Sequence, residues 1–239
     1  MENVKLSPRL EKIINDFVKR LKNIYADELI SVVLYGSASS GEYVPRHSNV
    51  NLAVILKDAG LRRLSKVSGL ILGLQVLNPV FFTEDHIKRS VDVFPIEFLD
   101  MKENHILIYG IDFLKGINID TKNLRFQCEQ ELKSKIVNLK RAYLKSSGRE
   151  ALQQLLLTNF TSAVHILRNV IRLKGHKPAY EKEEILNQVS RELDMDMIIF
   201  AKIWKLKREK PRLSYEELEN LFFAFADDLE KIAESIDRL

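Results

Sequence analysis

The residues best placed to do chemistry lie between Val33 and Leu56. An apolar run ends at Tyr35, Gly36-Ser37 makes a turn, and a polar stretch holds Gly41, Arg46, His47 and Ser48. A second apolar run then opens on Asn49-Val50-Asn51. Strand residues two apart share a face, so Asn49 and Asn51 present two amides side by side. They offer carbonyl oxygens but no charge, which makes them poor ligands for a hard divalent cation. The five histidines (His47, His86, His105, His165 and His176) have no metal-ligand spacing. Lys202, Lys205, Lys207, Arg208, Lys210 and Arg212 surround Trp204. A nucleic-acid backbone would suit such a run, but the solvated side of an amphipathic helix explains it more simply. Cys128 stands alone, and a small helix residue accounts for it better than a reactive thiol does.

The stretch from Val33 to Leu56 resembles the signature of the polymerase-beta-like nucleotidyltransferase superfamily. Gly36, Ser37, Gly41, Ser48 and Leu52 match that signature, while Asn49 and Asn51 stand where it has metal-binding aspartates. The resemblance implies a nucleoside triphosphate held at the Gly-Ser turn, with Gly36, Ser37, Arg46 and Ser48 as nucleotide-binding residues. Glycine lets the ligand reach the backbone and serine adds a hydroxyl. Arg46 would neutralise a triphosphate without metal, although plain solvation explains it as simply. A third carboxylate on a neighbouring strand completes the family site. Two candidates are open here: Asn78 if the strand is Val76–Phe82, or Glu97 if it is Phe94–Leu99.

Active relatives hold magnesium between such carboxylates. With asparagine at both aspartate positions, the expectation is a catalytically impaired relative that retains nucleotide or substrate binding in a regulatory or scaffolding role. One alternative is an active metal-dependent nucleotidyltransferase, with magnesium on other carboxylates such as Glu42, Asp58, Glu84 or Asp92. A second is a protein-interaction module acting through the helices, with a homodimer among its forms.

The elements that must position these residues follow from local pattern. Ser7-Pro8 reads as a helix cap with proline at the first helical position, and apolar residues at helical spacing carry that helix to residue 26. Ile30–Tyr35, Leu52–Leu56, Val76–Phe82 and Phe94–Leu99 read as strands. Residues 59–73 and 84–90 read as helices, the latter capped by Thr83. Four helical segments follow, at 121–146, 149–174, 181–209 and 214–238. Ser214 and Glu217 form the pattern of a capping box before the last. The expected fold is an α/β nucleotidyltransferase-like mixed sheet over 1–118, followed by an all-α up-and-down bundle over 119–239. Such coupling of sheet and bundle is similar to that of aminoglycoside nucleotidyltransferases.

Composition agrees with this frame. Of 239 residues, 46% are apolar and 29% charged, as in ordinary globular domains. The net charge of +4 falls wholly after residue 120. A lone cysteine, no basic-then-apolar leader and no apolar run of spanning length indicate a cytoplasmic protein without membrane contact.

Overall fold

The computed structural model describes residues 6–40, 49–179 and 181–239. Two compact units divide the chain, Met1–Ile119 and Asp120–Leu239.

In the first unit, Ser7 accepts a hydrogen bond from the Leu10 amide, and Pro8 opens helix α1 (Pro8–Tyr25). Proline fits there because the first helical amide needs no partner. Strands β1 (Leu29–Tyr35), β2 (Val50–Leu56), β3 (Leu77–Phe82) and β4 (His105–Gly110) form one sheet in the order β3-β2-β1-β4. Helix α2 (Ser37–Ser40) follows the Gly36 turn. Strand β1 runs antiparallel to both β2 and β4, while β2 and β3 are parallel.

The two central strands are apolar along their length because both faces are covered. Val32, Leu34, Leu52, Val54 and Leu56 pack with Ile14, Phe17 and Leu21 of α1. Val33, Ala53 and Ile55 face the other way and pack with Ile87, Phe98, Met101 and Leu114. Between β2 and β3 the chain makes short helices α3 (Leu61–Leu64) and α4 (Ser68–Leu72), joined by one turn of 3-10 helix where a single helix over 59–73 was expected. Thr83 caps α5 (Glu84–Ser90) as its sequence indicates.

Phe94–Leu99 is not a strand. It lies in helix α6 (Pro95–Glu103), and the fourth strand is β4 instead. Pro95 occupies the first turn of α6, where its missing amide costs nothing. Buried Pro95, Ile96, Phe98 and Met101 follow helical rather than alternating spacing. At the end of β4, Gly110 has φ +81°, and a Cβ there would lie 1.9 Å from the Ile30 carbonyl oxygen. Only glycine permits that approach of the two strands.

The second unit is helical: α7 (Thr121–Tyr143), α8 (Arg149–Leu173), α9 (Lys182–Leu193), α10 (Ile198–Glu209) and α11 (Tyr215–Asp237). Helix α8 packs against each of the others. The segment expected as one helix over 181–209 is two. Asp194 adopts a left-handed conformation, the Ser190 hydroxyl donates to the Met195 carbonyl at 2.6 Å, and Asp196 accepts from the Ile198 amide at 2.8 Å. Side chains thus supply the stop and the restart. The expected capping box at Ser214 and Glu217 is present in full. Of the aromatic run, Phe222 and Phe225 are buried and Phe223 is exposed.

Candidate functional site

The parallel pairing of β2 with β3 sets the site. In its register Asn51 lies opposite Asn78, and the Asn78 amide Nδ2 donates to Asn51 Oδ1 at 3.0 Å. On the other side of β2, Asn51 lies opposite Tyr35, the last residue of β1. The burial that surrounds Tyr35 pushes its phenol pKa up. Beyond Tyr35 the chain turns at Gly36 with φ +76°, and a Cβ on Gly36 would lie 3.0 Å from Asn51 Nδ2. The absent side chain is what lets the turn close onto the asparagine. The Ser39 hydroxyl approaches two acceptors, the Gly36 carbonyl at 2.7 Å and the Asn104 carbonyl at 2.5 Å. That contact ties the turn to the residue before β4.

The structure therefore brings together Gly36, Asn51 and Asn78, with Asn49 exposed immediately before β2. Ser37 opens α2. Gly41, Arg46, His47 and Ser48 lie outside the described residues. Glu97 is placed differently from its expectation: it sits in the first turn of α6, not on a strand beside β2. The β3 position next to Asn51 belongs to Asn78. Sequence reasoning missed the helix because Phe94–Leu99 is short and apolar, and such runs do not declare their period.

This geometry is chemically neutral. Asn78 donates one amide N–H to the Asn51 oxygen, and neither side chain carries a charge. Two carboxylates at that distance would repel by about 1–5 kcal/mol, depending on local screening, until a cation bridged them. Among the described residues no group of three His, Cys, Asp or Glu side chains is arranged to hold a metal.

A mixed four-stranded sheet with the turn at Gly36 facing Asn51 and Asn78, followed by a helical unit, defines a nucleotidyltransferase-like α/β fold. The spectinomycin adenyltransferase from Enterococcus faecialis, solved with ATP and spectinomycin, superposes with a TM-score of 0.58 over 92% of this chain and 99% of that one, at 12% identity. A protein of Methanocaldococcus jannaschii named "Putative protein adenylyltransferase" is 37% identical over 57 residues, 24% of this chain. The match spans 38% of that relative's length. No family model matches the chain.

The resemblance implies magnesium for active members. Asn49, Asn51 and Asn78 bring no negative charge, and the facing oxygen of Asn51 is already engaged by Asn78. Magnesium surrenders its waters only to strongly attracting, usually anionic oxygens. The donor set does not fit the ion.

Proposed function

We propose that the protein binds a nucleoside triphosphate, or a substrate of similar chemistry, at the Gly36–Asn51–Asn78 site and is impaired in nucleotidyl transfer, serving a regulatory or scaffolding role. The observation that carries this reading is the hydrogen-bonded Asn51–Asn78 pair, standing where the resemblance leads one to expect bridging carboxylates. Gly36, Ser37, Arg46 and Ser48 are the proposed nucleotide-binding residues. The neighbouring fold was solved with ATP, which makes a nucleotide the first ligand to try. A buried, neutral Cys128 suits a reducing cytoplasm. No helix among the described residues is long and apolar enough to cross a membrane.

Calorimetric titration of ATP, with magnesium and then with EDTA, tests the proposal. Binding should be equal in the two conditions, Ser37→Arg should remove one bound ATP per chain, and no pyrophosphate should be released. Binding that demands magnesium, together with pyrophosphate release, would overturn the impaired reading in favour of a metal-dependent transferase.

A further inference from the structure

The helical unit gathers positive charge on one face without supplying its counter-charge. Residues 151–180 contain no aspartate or glutamate, so α8 has no acid beyond its first turn. Its exposed side presents Thr158, Thr161 and His165, with the partly exposed Ser162 beside them. A lysine reaches onto it from each flank. Lys135 of α7 donates to Ser162 Oγ at 2.6 Å, and Lys207 of α10 donates to Thr161 Oγ1 at 2.6 Å. Lys182, at the start of α9, lies 5.2 Å from the centre of the Trp204 ring. Among the described residues none of these three ammonium groups pairs with a carboxylate.

The nearest acids are spent elsewhere. Glu183 is held by Arg208 and by the Trp204 indole N–H. Glu131 favours the charge of Lys135 from one turn away but is hydrogen-bonded by Gln127. Burial lowers the pKa of both Lys135 and Lys207, and the nearby charge of Lys182 lowers Lys207 further. Partly buried cations that repel one another are costly unless an anion joins them. Lys135 and Lys207 each spend one N–H on a hydroxyl and keep two for an incoming acceptor.

We propose that Lys135, Lys182 and Lys207, together with Thr161 and Ser162, form a binding site for a chain of phosphate groups on the exposed face of α8. A run of two or more phosphates offers several acceptor oxygens to cations that reach the helix from separate flanks. Phosphate is favoured over a nucleobase because the Trp204 ring is already taken. Phe160 stacks on it at 6.4 Å with a 19° interplanar angle, and Arg208 and Lys182 both lie near it. The site is built from the helical unit alone and does not depend on the proposed nucleotide reading.

The test is calorimetric titration of inorganic tripolyphosphate into the full chain in EDTA, with ATP and a single-stranded RNA oligonucleotide in parallel. Tripolyphosphate should bind. Lys135→Gln or Lys207→Gln should each weaken it about tenfold, and the pair about a hundredfold. Ser37→Arg should leave it unchanged, which separates this site from the one on the sheet. ATP competing with tripolyphosphate in Ser37→Arg would make a nucleotide's phosphates the source, and no competition would make it free polyphosphate. Should the double glutamine variant not fold, Thr161→Glu places a carboxylate on the exposed turn between the lysines and should also abolish binding. No tripolyphosphate binding, binding lost in Ser37→Arg but kept in the lysine variants, or binding of RNA alone would each overturn the proposal.

Discussion

At the β2–β3 pair, two neutral side chains share one hydrogen bond. On α8, two ammonium groups each give one N–H to a hydroxyl and retain the others. The first arrangement needs no counter-charge, since an amide is both donor and acceptor and the Asn78 N–H meets the Asn51 oxygen. The second is incomplete, since lysine only donates and a hydroxyl cannot offset its charge. The difference separates two kinds of polar cluster. One joins neutral groups by a hydrogen bond, and the other holds charges with no carboxylate partner among the described residues.

The sharpest way to break the contrast is to restore charge at the sheet. Asn51→Asp with Asn78→Asp would set two carboxylates at the present hydrogen-bond distance of 3.0 Å. Thermal or urea unfolding in EDTA should show a loss of about 2 kcal/mol, recovered by millimolar magnesium or manganese. The wild type should be indifferent to either ion. Equal stability of variant and wild type in EDTA would mean that complementarity is not what the amides contribute.

A smaller effect separates the helical unit's interior from its face. Burial holds Cys128 as a thiol and pushes its pKa from 9.0 up to about 12. The unfolded chain releases this proton above the lower value and the folded chain keeps it, so this contribution to stability falls as pH rises from about 9 toward 12. At pH 10 the loss is about 1.4 kcal/mol. Tyr25 and Tyr35 are shifted in the same direction, so the comparison is with Cys128→Ala, in which their contribution persists. The variant should lose less stability than the wild type between pH 8 and pH 10, and parallel curves would contradict a buried thiol.

The smallest effect belongs to the face itself. Thr161→Glu gives Lys207 a carboxylate partner at an exposed position and should raise stability by about 0.5 kcal/mol at low salt, fading as salt is added. A decrease would mean that Lys207 is not short of a counter-charge.

What the sequence made legible was local chemistry. Ser7-Pro8 and Ser214 with Glu217 mark helix starts because the cap and its partner lie within three residues of each other. The strands around Gly36 could be read because burial on both faces leaves unbroken apolar runs. Phe94–Leu99 misled for the same reason: an apolar run with a proline suits an edge strand or the first turn of a helix, and packing decides between them. The break at Asp194 was hidden by apolar spacing that continues across it. Its signals are the short side chains of Ser190 and Asp196, each bonded to backbone a few residues away. The closeness of Asn51 and Asn78 depends on strand register, which no local pattern fixes. Gly36 could be read as a turn, but its approach to Asn51 needs the folded sheet.

The pairing of β1 with β4 also bears on how the chain is made. During synthesis β1 can acquire β2 early, but its other edge stays bare until His105 to Gly110 have left the ribosome, with two helices and the β3 crossover made in between. Bare edges recruit strands from other chains. The nascent sheet therefore passes through an interval in which a neighbouring polypeptide competes for the place reserved for β4, and Gly110 sets how closely the rightful strand can dock when it arrives.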